Sequence, residues 1–145
     1  MNLVDSLKIA LANNFALYLK AHYYHWNVEG PDFAQYHSFF GDFYGEVYGA
    51  IDVIAEQIRA LNAYAPGSFE RYLELSQITG EDRIIPASEM LRELEVGNQT
   101  MISSLMASYH LAEAAGELGL ANFLQDRLDQ HKKHAWMIRS FLKGR

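Results

Sequence analysis

Apolar residues recur at intervals of three and four along four long stretches of the chain, and this spacing places them on one face of a helix. The stretches run from Leu7 to His25, from Phe40 to Leu61, from Leu91 to Ala112 and from Leu124 to Leu142. No alternating strand pattern, low-complexity run or internal repeat accompanies them. The sequence therefore predicts an all-α fold whose core is formed by four amphipathic helices.

The breaks between these stretches predict how the helices are connected. Gly30 and Pro31 suit the end of one helix and the start of the next, and the chain is predicted to turn again around Gly116 and Gly119. A much longer segment separates the second and third stretches, and within it Phe69 to Gln77 is predicted to be a short helix. Two short links and one long crossover predict a ferritin-like four-helix bundle, with the short helix in the crossover between helices two and three.

The composition excludes several classes of protein and site. Its 145 residues suffice for one domain with its own core, so residues 1–145 are predicted to be a single domain. The chain has no cysteine, which excludes disulfides, thiolate metal sites and cysteine nucleophiles. Its N-terminus lacks a charged region before an apolar run, and no stretch approaches the roughly 20 apolar residues of a membrane span. We expect a soluble, cytoplasmic protein with no membrane partner.

Four side chains with metal-binding chemistry lie around the first helix break. His25 and His37 stand on either side of it, so their imidazoles can converge from different directions. Asp52 and Glu56 follow at a spacing of four, which places both carboxylates on one helix face. Two nitrogen ligands and two hard carboxylates suit iron better than a structural zinc site, although zinc is possible as a substitute. These four residues are the predicted metal ligands, and no further catalytic residue is predicted.

The geometry of such a site is constrained by what the sequence lacks. A di-iron site inside one bundle needs Glu-x-x-His motifs on two helices, and no histidine here has a glutamate three positions before it. Gly41, Gly45 and Gly49 recur every four residues in the second helix, and each costs about 1 kcal/mol against alanine. Glycines tolerated on a solvated face are one explanation. We favour the other, a close subunit interface beside the ligands.

The segment His22 to Phe33, which reads His-Tyr-Tyr-His-Trp-Asn-Val-Glu-Gly-Pro-Asp-Phe, resembles the Dps family of mini-ferritins. The resemblance covers nearly the whole chain and continues at His37, Tyr44, Asp52, Ala55, Glu56, Pro66-Gly67-Ser68, Tyr72-Leu73 and His134-Ala135-Trp136-Met137. The spacing from the His-Trp pair to Asp-x-x-x-Glu is highly specific for that family.

This resemblance implies a function as well as a fold. Members oxidise ferrous iron, preferably with hydrogen peroxide, and store the ferric mineral inside shells of twelve subunits. The chain is therefore expected to be a ferroxidase that forms a homododecamer and protects against oxidative damage. The resemblance also implies a two-iron site at the subunit interface. His25 and His37 would come from one subunit, and Asp52 and Glu56 from its two-fold partner.

Two positions depart from the family pattern. Many members carry an acidic residue one turn after the second histidine, where this chain has Gly41 followed by Asp42, so we expect a weaker second iron position. Before the final helix, members often carry acidic residues that line the pores through which iron enters. The segment Gly116 to Asn122 keeps only Glu117 of these, and iron is expected to enter more slowly or by another route.

The four predicted ligands also have a structural explanation when each is considered alone. His25 and His37 would then be histidines bonded to the backbone, and Asp52 and Glu56 would form a solvated helix face. Their joint spacing favours the ligand interpretation.

Other residues near the predicted site leave similar alternatives. Trp26 either packs in the core or lies close to the metal, where it would quench stray oxidising equivalents. Tyr44 and Tyr48 are expected to be packing residues. A third group, His131 and His134, is expected to have a core or surface role.

Mineral growth requires acidic groups that face the cavity of a shell. Asp42 and Glu46 are the candidates in this sequence.

A DNA-binding shell that compacts the nucleoid is the alternative function. Some relatives bind DNA through lysine-rich termini, and such binding requires several phosphate contacts. Lys8 is the only basic residue among the first ten, the C-terminal Lys143-Gly144-Arg145 is short, and the net charge is −6. DNA is therefore not an expected partner.

Overall fold

The computed structural model describes residues 1–144, in which five helices and no strand are present. The helices are α1 (Leu3–Asn27), α2 (Phe33–Ala60), α3 (Phe69–Leu75), α4 (Ala87–Ala114) and α5 (Leu118–Leu142). The all-α, ferritin-like fold predicted from the sequence is confirmed, including the short helix in the crossover. Arg145, the last of the C-terminal basic residues considered for DNA binding, lies outside the described residues.

Side-chain pairs between helices give the direction of each one. Asn14 and His25 of α1 bond to the carbonyl oxygens of Val47 and His37 of α2, so these two helices are antiparallel. In the same way, Ser6 and Lys20 of α1 contact Ser108 and Glu93 of α4, which makes that pair antiparallel as well. Asn98 of α4 bonds to His131 of α5, and the short link between them reverses the chain. Helices α2 and α4 are therefore parallel and need the long crossover.

The crossover is tied along α1 by hydrogen bonds at successive positions. The Lys20 Nζ donates to the carbonyl oxygen of Thr79 at 2.8 Å, and the Tyr24 hydroxyl donates to Glu81 at 2.9 Å. The Glu81 carboxylate also accepts from Arg83. Its Arg83 partner outweighs the effect of burial and holds the pKa of Glu81 at about 2. These contacts hold the crossover against α1.

The first helix break is built differently from the sequence prediction. Helix α1 ends at Asn27, and Gly30 has a φ of +101°, which glycine adopts at little cost. Pro31 lies in the turn, and α2 begins two residues later than predicted, at Phe33, after Asp32 in the left-handed region. At the other short link only Gly116 has a positive φ, and Gly119 lies inside α5, so the predicted turn at Gly119 was wrong.

The core fills the space between the four long helices. Its fully buried large side chains are Leu7, Leu11, Leu17, Tyr24, Phe40, Phe43, Ile54, Ile58, Met90, Leu91, Leu94 and Met101. In the part of the chain that the structure describes, no helix is both long and apolar enough to cross a membrane.

Candidate metal centre

The structure places His25 and His37 directly against each other at the α1–α2 turn. Their rings are stacked with centroids 3.8 Å apart and an interplanar angle of 18°. The Nδ1 of each ring bonds to the main-chain carbonyl oxygen of the other residue at 2.7 Å. A carbonyl oxygen can only accept, so each Nδ1 must carry the hydrogen. In the neutral rings both Nε2 atoms are therefore unprotonated and available to a metal, and the backbone fixes their tautomer.

Gly41 leaves the space that the His25 ring occupies. A Cβ atom added at Gly41 would lie 3.1 Å from both Cε1 and Nδ1 of His25. That distance is shorter than an ordinary van der Waals contact, so a larger residue would press on the ring and on its hydrogen bond to His37. Packing against His25 within one subunit thus explains why glycine stands at position 41, the first of the Gly41, Gly45 and Gly49 series. A Cβ at Gly45 or Gly49 would meet no atom within 4 Å, so both glycines face open space.

The two predicted carboxylate ligands lie far from the histidine pair in the same chain. Asp52 and Glu56 are exposed, one turn apart near the end of α2. His37 and Asp52 are fifteen residues apart in this unbroken helix, which corresponds to roughly 22 Å at about 1.5 Å per residue. Within residues 1–144 of one subunit, no group of three or more His, Asp or Glu side chains is arranged to hold a metal ion. One subunit therefore brings the histidines together and leaves the carboxylates apart from them.

The surface around Asp52 is an apolar groove. It has a volume of about 620 Å³, and its lining includes Tyr48 and Ile51 of α2 together with Phe69 and Tyr72 of the crossover. The exposed fractions of Tyr48 and Phe69 are 58% and 77%. Large apolar surfaces of this kind mark interaction sites in soluble proteins.

We call the His25–His37 pair and the Asp52–Glu56 pair the two half-sites. Aromatic side chains occupy the surface between them. His22 lies between Trp26 and Tyr44, with ring centroids at 3.8 Å and 3.9 Å. Burial, and then the nearby His25, lower the pKa of His22. Trp26 is 60% exposed and contacts the ring next to His25, so it is a surface residue close to the candidate site and not part of the core.

A polar network that the sequence prediction missed connects α2, α4 and α5. Glu46 of α2 accepts two bonds from Arg127 of α5, one of them at 2.9 Å, and pairs with His134 Nε2 at 2.9 Å. Arg127 also contacts His131 Nε2, whose Nδ1 bonds to Asn98 of α4. Burial lowers the pKa of His131 well below its usual value, and the neighbouring cation Arg127 adds to this.

This network corrects the expectation for Glu46 and decides between the two roles expected for His131 and His134. His134 has a carboxylate partner, Glu46, which sequence spacing along α5 did not reveal. Glu46 itself is an unsuitable mineral-nucleating group, because its carboxylate is occupied by Arg127 and His134. Asp42, one turn before it in α2, is exposed and stays a candidate. The expected core or surface role of His131 and His134 is a core role, since both are buried.

Comparisons with known proteins agree with this architecture. A family model described as a ferritin-like domain matches residues 4–144. DNA protection during starvation protein 2 of Bacillus anthracis is 30% identical over 139 residues, which cover 96% of this chain and 95% of that protein. The crystal structure of antigen TpF1 from Treponema pallidum has a TM-score of 0.94 and 30% identity, covering 98% of this chain and 92% of that one.

A second solved structure links the fold to a chemistry. The Dps protein of Vibrio cholerae O1, described as a member of a broad superfamily of ferritin-like diiron-carboxylate proteins, has a TM-score of 0.93 and 29% identity. The match covers 97% of this chain and 89% of that chain. Together, these matches show that the chain belongs to the Dps family of mini-ferritins.

Proposed function

We propose that the protein oxidises Fe(II) with hydrogen peroxide and stores the ferric product inside a hollow shell of twelve identical subunits in the cytoplasm. Membership of the Dps family supports iron storage and protection in general. The specific chemistry is supported by the two histidines, because their fixed tautomers present two nitrogen lone pairs side by side. This reciprocal pairing of His25 and His37 is the observation that carries the proposal.

The distance between the half-sites requires a second subunit. A two-fold axis perpendicular to α2 would make the two copies of this helix antiparallel, and His37 of one subunit would then approach Asp52 of the other. The midpoint between these two positions falls beside Gly45, where no side chain prevents close approach of the helices. An isologous interface of this kind contains two equivalent sites per dimer.

The four ligands would divide the work between binding and oxidation. Neutral imidazoles retain affinity for incoming Fe(II), and carboxylates stabilise Fe(III) more than Fe(II). Asp52 and Glu56 would therefore favour the loss of an electron from the ion that His25 and His37 help to bind. Peroxide takes two electrons, so two Fe(II) ions and two protons convert one peroxide into two water molecules without releasing hydroxyl radical.

Gly41 bears on how the second ion would be bound. It contributes no ligand at the position where many members of the family have an acidic residue. The His25 ring occupies the adjacent space, only 3.1 Å from where a Cβ atom would lie, so an acidic side chain could not be added there without displacing that ring. We expect the first ion to be held firmly and the second weakly.

The test is the initial rate of Fe(II) oxidation in anaerobic solution, with peroxide or dioxygen added separately. We expect peroxide to be the faster oxidant, and His37→Ala and Asp52→Ala each to lose most of the activity. His110→Ala is the matched control, because His110 is an exposed histidine on α4, away from both half-sites. Equal activity of the wild type and the two ligand variants would overturn the proposal.

A further inference from the structure

The end of the chain has a charge opposite to that of the rest. All 18 Asp and Glu residues precede residue 130, whereas five of the 12 Lys and Arg residues follow it. Residues 131–145 therefore carry a net charge of +5, although the whole chain carries −6. The proposed iron chemistry makes no use of this basic segment.

Part of the segment forms one exposed stripe on α5. Lys132, Trp136, Arg139 and Lys143 follow one another at intervals of four, three and four, which places them on one face of the helix. All four are exposed, and the exposed fraction of Trp136 is 57%. At about 1.5 Å per residue, the stripe is roughly 16 Å long.

An open groove lies along this stripe. Its volume is about 480 Å³, and within residues 1–144 it is lined by Trp136, Arg139, Ser140 and Lys143. This volume lies within the range of small-molecule sites, about 300–1,000 Å³. The Ser140 hydroxyl donates to the carbonyl oxygen of Trp136 at 3.0 Å. The aromatic ring and the two cations are therefore the groups left for a ligand.

The cations of the groove have no counter-charge in the described part of the chain. Neither Arg139 nor Lys143 forms an ion pair there, whereas Arg71 and Arg83 on other surfaces are each bonded to a glutamate. A cation in the last turn of a helix stabilises the helix dipole, which accounts for Arg139. The dipole does not account for Lys132, ten residues before the helix ends, or for an exposed tryptophan between cations.

We propose that this groove binds a nucleoside phosphate. The base stacks on the exposed ring of Trp136, and Arg139 and Lys143 hold the phosphate. A guanidinium group can form two parallel hydrogen bonds to phosphate oxygens, and the ammonium group adds a compact positive charge. Because stacking on an aromatic ring tolerates every base, the site selects a ring joined to a phosphate and not a particular base.

The distribution of charge favours a free nucleotide over a nucleic-acid strand. Electrostatic binding of a strand requires several phosphate contacts, and the stripe offers three cations. Beyond the stripe, a strand would meet the surface of residues 1–130, which carry a net charge of −11. A single phosphate on one nucleoside avoids this repulsion.

The fluorescence of Trp136 in assembled, metal-free shells tests the proposal. Trp26→Phe leaves Trp136 as the only tryptophan, and adenosine monophosphate should quench its emission to saturation. Adenosine lacks the phosphate and inorganic phosphate lacks the ring, so each should bind at least about tenfold more weakly. Sodium chloride keeps the ionic strength equal in all titrations.

Two pairs of substitutions in this single-tryptophan shell locate the site. Arg139→Gln with Lys143→Gln should weaken the binding of adenosine monophosphate by about tenfold or more. The control, Arg71→Gln with Arg92→Gln, removes the same charge from exposed positions elsewhere and should bind as before. Sedimentation checks that both shells assemble, and Lys143→Gln alone provides the same test with a smaller loss of affinity.

Binding is measured without iron, so its outcome does not depend on the ferroxidase proposal. The nucleotide site would be refuted by emission that adenosine monophosphate does not quench, or by equal affinities of the groove pair and the control pair. Adenosine or inorganic phosphate that binds as tightly as the nucleotide would refute it as well. If a single-stranded oligonucleotide bound more tightly than the nucleotide and lost this affinity in the groove pair, the ligand would be a nucleic acid instead.

Discussion

Co-assembly of two inactive variants tests whether the candidate site is divided between subunits. His25→Ala removes a ligand from the histidine half, and Asp52→Ala removes one from the carboxylate half. Each variant alone should be nearly inactive, because both sites of every dimer lack one ligand. In a mixed dimer, the histidines of the Asp52→Ala subunit meet the carboxylates of the His25→Ala subunit, and that site contains all four ligands.

The expected recovery follows from the two-fold geometry. If equal amounts of the two subunits pair at random, about half of the dimers are mixed, and each has one complete site out of two. Roughly a quarter of all sites should then be complete, so the initial rate of Fe(II) oxidation should return to about 25% of the wild-type value. An arrangement confined to one chain predicts no recovery, because neither subunit has all four ligands.

A control pair of variants, His25→Ala with His37→Ala, makes the test decisive. The two variants are unfolded and refolded together, mixed shells are purified through a different affinity tag on each subunit, and oxidation is followed by absorbance. Co-assembly of His25→Ala with His37→Ala should restore nothing, since both substitutions affect the same half and every site lacks one histidine. Recovery in this control, or none in mixed shells of His25→Ala and Asp52→Ala, would refute the divided site.

Three further predictions concern α2 and the chemistry of protection. Gly41→Ala should displace the His25 ring and weaken Fe(II) binding in isothermal titration while the shell still assembles; unchanged affinity would mean that the ring adjusts freely. Gly45→Leu should weaken the dimer although leucine favours helix, and an unchanged sedimentation coefficient would identify this face as solvent-exposed. In a mixture of Fe(II), peroxide and plasmid, the protein should prevent nicking without retarding the plasmid in a gel. A double variant, Asp52→Ala with Glu56→Ala, should lose that protection, and protection that follows retardation would indicate coating instead.

The fold was predictable from the sequence because it is determined by local features, namely the spacing of apolar residues and the lengths of the links. Four apolar stripes with helical spacing, separated by short, long and short links, leave few arrangements other than this bundle. The exact helix ends were less predictable. Asp32 adopts a left-handed conformation before α2, and Gly119 is accommodated within α5, and neither follows from the residue type alone.

The four candidate ligands were predicted from their spacing, but the contacts that hold the two histidines were not. The exchange of hydrogen bonds between His25 and His37 depends on main-chain carbonyl groups, which have the same chemistry at every position. Glycine is needed at position 41 because of the His25 ring, which is sixteen positions away in the sequence.

Side-chain contacts between helices that are far apart in the sequence could not be predicted from residue spacing. Glu46 and Arg127 are 81 positions apart and meet only because α2 and α5 are antiparallel neighbours. From the sequence alone, Glu46, one turn after Asp42 in α2, was therefore predicted to be an acidic residue that faces the cavity. Its real environment, against the buried Arg127 and His134, makes it a structural residue.

The energetic role of Glu46 gives a prediction with a defined pH range. Burial raises the pKa of its carboxyl group, but the hydrogen bonds from His134 and Arg127 together outweigh burial and hold the pKa at about 2, compared with 4.5 for an unperturbed glutamate. A pKa that is lower in the folded state means that the ionised carboxylate stabilises the fold. This stabilisation is complete above pH 4.5 and is lost as the pH falls towards 2.

The size of the effect can be bounded from the same shift. The difference in pKa corresponds to at most about 3 kcal/mol, and solvent reduces this because 29% of the side chain is exposed. Glu46→Gln should therefore lower the free energy of unfolding at pH 7, and it also leaves Arg127 buried without its counter-charge. Near pH 2 roughly half of the wild-type carboxyl is protonated in the folded state, and most of the stabilisation from its ionisation is gone, so the difference between the two proteins should shrink across the interval from 4.5 to 2.

Urea unfolding, followed by circular dichroism, measures the difference in unfolding free energy between the two proteins at each pH. The protein concentration is kept fixed, because assembly of the shell adds to stability. Asp129→Asn, which removes an exposed carboxylate from α5, should change the unfolding midpoint little at any pH. A second variant, Glu46→Gln combined with Arg127→Met, should be less destabilised than Glu46→Gln alone, because no buried charge is left unpaired. If the gap between wild type and Glu46→Gln were as large near pH 2 as at pH 7, ionisation of Glu46 could not be its source. The loss would then come from packing around the amide, and the ion pair would have no special part in stabilising the bundle.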